Sequence, residues 1–177
     1  METEILNSSL RKEIRKRRPQ HILLLNFEKV LFIFLIAIRI LNVKTSQITL
    51  KVKGSGNERI INQDFFDKIS QVTVNGQQCN SKTTCNVVGD SIPVVIVFTG
   101  EVNTCSGMFK DRTNIITANL NEFDASQVTD MYKMFSNCTS LTTVTFGNMN
   151  SQEVIIMERL FEKCSSLKTV DFNKLTF

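Results

Sequence analysis

Three dipeptides, Met108-Phe109, Met134-Phe135 and Leu160-Phe161, recur with a constant period of 26. A recurrence of that kind restricts the chain to architectures that stack equal units. The register holds through the rest of each unit. Ile115, Leu141 and Leu167 correspond, as do Ala118, Val144 and Val170, then Leu120, Phe146 and Phe172. Val128 corresponds to Val154, Met131 to Met157 and Cys138 to Cys164, with Arg112 at that place in the first copy. One helix yields spacings of three and four, but it does not reproduce a whole apolar pattern one full period further on.

The letters of one unit predict its parts. TSLTTVTF, Thr139 to Phe146, sets Leu141, Val144 and Phe146 among polar residues in the manner of a short strand. Upstream, VTDMYKMFSNC places Val128, Met131, Met134 and Phe135 at spacings of three and four, which predicts a short amphipathic helix packed behind that strand. The expected fold class is therefore an α/β repeat, a leucine-rich-repeat-like solenoid of about three helix-plus-strand units. Its core would hold Phe109, Phe135, Phe161, Leu141, Leu167, Val144, Val170, Cys138 and Cys164, the cysteines as small buried residues. A single unit buries too little apolar surface to be stable, so neighbours must stack. The third unit stops at Phe177 without a polar cap, and its open face predicts self-association.

The strings FDASQVTDMYKMFSNCTSL, Phe123 to Leu141, and LFEKCSSLKTVDF, Leu160 to Phe172, carry a resemblance. They are similar to the repeat of BspA-like leucine-rich-repeat surface proteins, which runs roughly F-D-x-S-x-V-T-x-M-x-x-M-F-x-x-C-x-S-L before a short strand. The likeness covers Cys105 to the end, and ITLKVKGSGNE and VTVNG upstream resemble the strand-rich entry of protist members more weakly. Arg112 replaces the usual cysteine, and MNSQEVIIM departs from the pattern in the second copy. The resemblance implies a non-enzymatic cell-surface or secreted protein for adhesion or for recognition of a protein or glycan.

Val30 to Ile38 reads VLFIFLIAI, nine apolar residues in a row with apolar character also over Ile22 to Leu25 and Ile40 to Val43, and Arg11, Lys12, Arg15, Lys16, Arg17 and Arg18 crowd upstream. The run suits a signal-peptide hydrophobic region, and with its flanks it also suits an uncleaved signal anchor. The basic cluster predicts a cytosolic N-terminus and translocation of the remainder of the chain. The expected location is thus the membrane, single-pass through that segment, or the extracellular space. Two rival readings stand beside this: RKEIRKRR as a nuclear-localisation or nucleic-acid patch, and the apolar run as a buried helix of a soluble protein. Nucleic acid is not expected as a partner, because beyond residue 45 the basic excess has nearly gone. The expected organisation is a basic tail over 1–29, a signal peptide or signal-anchor helix over 30–43, a strand-rich entry over 47–104 and repeats over 105–177.

In the entry, ITLKVKG from Ile48, QVTVNG from Gln71 and VVIVF from Val94 predict strands of a small antiparallel sheet. Asn75-Gly76 predicts a hairpin turn and Gly54 to Asn57 a second turn. The glycines there lack the later glycine and Lys-Ser/Thr pair of a phosphate loop. Five cysteines leave at least one unpaired. Cys79 and Cys85 flank five polar residues, which suits a disulfide-closed loop in an exported domain; in a reducing compartment the two stay thiols.

His21 is the only histidine and lies beside the apolar segment, so histidine triads and multi-histidine metal sites have no members in the repeats. No enzyme activity, cofactor or metal is expected, and Asp124 and Asp130 are expected to cap helices. Asn137-Cys138-Thr139 forms a glycosylation sequon. By geometry the exposed side of the stacked strands is the candidate binding face, with Thr142, Thr143, Thr145, Lys168, Thr169 and Asp171 on it. Two alternatives stand beside surface recognition: an intracellular protein-interaction scaffold, and a truncated family member with no independent function.

Overall fold

The computed structural model describes residues 45–147, 149 and 151–172. Alternating apolar residues build its long strands: β1 (Gln47–Arg59) buries Ile48, Leu50 and Val52, and β4 (Thr84–Phe98) buries Cys85, Val87, Val94, Ile96 and Phe98. β1 and β4 pair antiparallel along nearly their whole length, from Gln47 opposite Val97 to Arg59 opposite Thr84. β2 (Ile69–Val74) lies against the second half of β4, and the edge strand β3 (Gln77–Gln78) follows it through Asn75-Gly76. Both turn residues have positive φ, 52° and 79°, the twist-matched hairpin that Asn-Gly favours.

Gly54 to Asn57 does not turn. The strand runs on through it, with a bulge between Val52 and Gly54, because the far end of β4 supplies partners from Gly89 to Asn86. Glycine is required at the bulge, since a Cβ on Gly54 would stand 2.9 Å from the Val87 carbonyl oxygen.

On its other side β1 pairs antiparallel with β5 (Ile115–Asn119), and there the sheet changes character. β5, β6 (Thr143–Thr145) and β7 (Thr169–Asp171) are parallel, in the register Thr117, Thr143, Thr169. The seven strands form one mixed sheet in the order β3-β2-β4-β1-β5-β6-β7. Entry and repeats therefore share a sheet and one apolar core, within a compact unit that begins at Thr45.

The helix-plus-strand solenoid is overturned. Among the described residues the one helical element is the 3₁₀ helix Gln63–Lys68, which lies in the entry. Where a helix was expected, over Val128 to Cys138, the backbone makes consecutive turns. Alternate N–H groups close turns locally, Met134 to the Met131 carbonyl (3.1 Å), Ser136 to Lys133 (3.0 Å) and Cys138 to Phe135 (3.1 Å). The intervening ones cross to the next unit, Lys133 to Glu158 (3.1 Å), Phe135 to Leu160 (3.0 Å) and Asn137 to Glu162 (2.7 Å). A continuous α-helix keeps all such bonds inside itself.

Left-handed residues make this possible. Positive φ recurs at Gly107, Lys133 and Arg159 and again at Asp111, Asn137 and Lys163, so the same two places reverse the chain in every unit. The result is three tiers, each a turn run followed by a three- to five-residue strand. Isolated parallel bridges join Thr104 to Asp130 and Asp130 to Ile156.

No helix among the described residues is long and apolar enough to cross a membrane. The described residues thus give the single-pass, signal-anchored expectation no support. Its segment, 30–43, and the basic tail lie outside the described residues.

Candidate functional site

Strand alternation divides the sheet into two faces. Leu50, Ala118 and Val144 point into the core, with Val170 packed against it. Their neighbours in sequence take the opposite face. Registers across the strands then set these outward residues in rows. One row runs Lys51, Thr117, Thr143, Thr169. The next runs Thr73, Val95, Thr49, Asn119, Thr145, Asp171, crossing six strands. At about 4.8 Å between strands it is about 24 Å long, and the rows lie about 6.6 Å apart along each strand.

Of the predicted binding-face residues, Thr143, Thr145, Thr169 and Asp171 all fall on these rows. Thr169 is exposed, and the other three are half-buried by their cross-strand neighbours. Thr142 has a different role, donating its hydroxyl to the Ile116 carbonyl 3.0 Å away and tying one tier to the next. Sequence reasoning missed Thr49, Thr73, Thr117 and Asn119. Thr117 and Asn119 stand one period before Thr143 and Thr145, so the repeat held the signal for them. Thr49 and Thr73 needed the junction of β1 with β5, which no repeat reveals.

The rows contain one cation, Lys51 on the central strand β1, and one anion, Asp171 on β7; the other positions are hydroxyls, one carboxamide and Val95. Such a face offers hydrogen bonds and small apolar patches rather than a field. Among the described residues no group of three or more His, Cys, Asp or Glu is arranged to hold a metal ion. Asp124 and Asp130 cap turns, not helices: their carboxylates accept from the Ser126 N–H (3.1 Å) and the Tyr132 N–H (2.7 Å).

Behind the face, the predicted core residues stack by tier. Phe109 and Phe135 are fully buried with ring centroids 5.3 Å apart, and Phe161 continues the stack at 5.7 Å. Leu141 and Val144 are buried, whereas Leu167 and Val170 of the last tier are half-buried. The Cys138 thiol donates to the Phe109 carbonyl (3.1 Å) and Cys164 to Phe135 (3.0 Å). Burial, with Cys164 adding, pushes the Cys138 thiol up from 9.0 to about 12, and burial pushes Cys105 higher still. Asn137, the sequon residue, is half-buried and donates its Nδ2 to Asp111 Oδ1 across the tiers (2.9 Å). Cys79 and Cys85 form a disulfide, with Cα atoms 5.6 Å apart, that closes the loop Asn80 to Thr84.

Residues 96–175, from the end of β4 through the tiers, match the model of a family described as Mycoplasma protein of unknown function, DUF285. The match spans somewhat less than half of the chain, and it is a similarity of the tiered part. No curated protein and no solved structure matches the chain.

Proposed function

We propose that this is a non-enzymatic recognition protein of the cell surface or the extracellular space, which binds a protein or glycan through the outward face of its sheet. The observation that carries this reading is the second row, with outward residues in register across six strands from Thr73 to Asp171. A rigid sheet with short polar side chains loses little conformational entropy on binding, because Thr and Asn have few rotamers to fix. The Cys79–Cys85 disulfide supports an oxidising compartment. The likeness to BspA-like surface proteins supports the same class of function.

The test is adhesion of beads coated with the full chain to intact cells, compared with a Thr117→Glu, Thr143→Glu, Thr145→Glu variant. These positions are not fully buried, so the carboxylates remain solvated; their mutual repulsion across the paired strands should lower the thermal midpoint while leaving the variant folded. Adhesion should fall at least tenfold. Undiminished adhesion by the folded variant would move recognition elsewhere on the molecule.

A further inference from the structure

β2 covers β4 only over Val94–Phe98, while β1 pairs with β4 down to Thr84. The outer half of the β1–β4 pair therefore projects beyond β2, and the β2–β3 hairpin is tied to it by the Cys79–Cys85 disulfide. Between them lies a concavity of about 470 Å³. That volume is within the range of about 300–1,000 Å³ usual for small-ligand pockets.

The lining is chemically narrow. Five carboxamides contribute to it, Asn57, Gln77, Gln78, Asn80 and Asn86, and Ser81 and Thr84 add hydroxyls. Val74 and the disulfide sulfurs supply the apolar surface. No Lys, Arg, Asp or Glu is among the lining residues, and the one cation of the loop, Lys82, is directed elsewhere, its Nζ 5.0 Å from the centroid of the Phe66 ring. Each carboxamide offers donors and an acceptor together, and a sugar hydroxyl is likewise both. A charged ligand would find no counter-charge among the lining residues.

We infer that this disulfide-closed concavity is a binding site for a neutral, polyhydroxylated ligand, a short uncharged glycan. An extended peptide added to the β4 edge is the rival occupant. It would need recurring apolar slots for alternate side chains, and this lining has Val74 alone among aliphatic residues. The site is separate from the threonine rows, so either can fail without the other.

The experiment is titration of the isotopically labelled full chain with maltose, lactose, cellobiose and N,N′-diacetylchitobiose, following the side-chain amide resonances. At least one saccharide should shift the lining Asn and Gln signals saturably. Gln78→Ala with Asn86→Ala should weaken that binding at least tenfold, and reduction of the disulfide should weaken it likewise. Because reduction could loosen the hairpin generally, Asn57→Asp serves as an isosteric second variant and should also weaken it. The face variant Thr143→Glu should bind saccharide as the wild type does; that comparison separates this site from the proposed face. Absence of shifts with all four sugars, shifts that survive both pocket variants, or shifts produced only by an uncharged valine-rich peptide would each overturn the assignment.

Discussion

Leu50 and Val144 occupy comparable places, each inside a strand on the core face of the same sheet, but the chain supports them differently. Around Leu50, β1 and β4 are 13 and 15 residues long and pair antiparallel, so a large share of their hydrogen bonds and apolar contacts come from one another. Around Val144 the strand has three residues, and the rest of the tier is turns whose N–H groups need the next tier. The entry half can hold itself together, whereas a tier is stable only between neighbours. β5 joins the two regimes, antiparallel to β1 on one side and parallel to β6 on the other.

The largest test of that difference is Phe135→Ala. Its ring is fully buried between Phe109 and Phe161, so the expected loss is about 3–5 kcal/mol. Hydrogen exchange should show the loss confined to the tiers, with the amides of Leu50 and Ile96 still protected. If those amides lose protection equally, the two halves are one cooperative unit and the contrast fails. Phe161→Ala, at a half-buried position, should cost about half as much.

The cysteines sharpen the contrast in two further steps. In the entry half Cys79 and Cys85 are bonded, and replacing both by serine should cost about 2 kcal/mol, as expected for a loop this short. Denaturant unfolding should register it, while the tier amides keep their exchange rates. In the tiers Cys138 is a buried thiol, held at about 12 against 9.0 ordinarily. The raised value means that the unfolded chain loses this proton first. Stability is thus whole below the ordinary thiol value and falls as pH rises from there toward about 12. The expected slope is about 1.4 kcal/mol per pH unit for that thiol. Cys138→Ala should flatten the slope relative to wild type, and an equal slope would remove Cys138 as its source.

The smallest effect is expected at Lys133, with φ 54°. Lys133→Gly relieves a left-handed strain of about 1–2 kcal/mol, offset by about 0.5–1 kcal/mol of glycine's added freedom, for a net gain of about 0.5 kcal/mol. Ser55, in the long β1 strand, has no such strain to relieve, so Ser55→Gly should destabilise by about 0.5–1 kcal/mol. Thermal unfolding distinguishes the two signs.

The constant period made the tiers legible, because residues stacked on one another face the same environment: Phe109, Phe135 and Phe161 had to be alike. What the period could not give was the conformation inside a tier. Val128, Met131, Met134 and Phe135 have helical spacing, yet a run of turns with two left-handed residues also returns the chain to the core every three or four positions. The clue lay in Gly107, Asp111 and Asn137, residue types that tolerate positive φ, while Lys133, Arg159 and Lys163 at the corresponding places concealed it. Gly54 to Asn57 misled in the opposite direction, since glycine at a bulge and glycine at a turn look the same in sequence. Thr143, Thr145, Thr169 and Asp171 on the candidate face were legible for the reason the tiers were. Thr49 and Thr73 depended on strand order.

The tiers are built from turns that bond to one another one period apart. Scalar couplings through hydrogen bonds, measured by NMR on the labelled full chain, test that arrangement directly. The structure predicts couplings from the amide nitrogens of Lys133, Phe135 and Asn137 to the carbonyl carbons of Glu158, Leu160 and Glu162. Couplings from those nitrogens to the carbonyls four residues earlier would mean a helix in each tier and would contradict the turn-built stack.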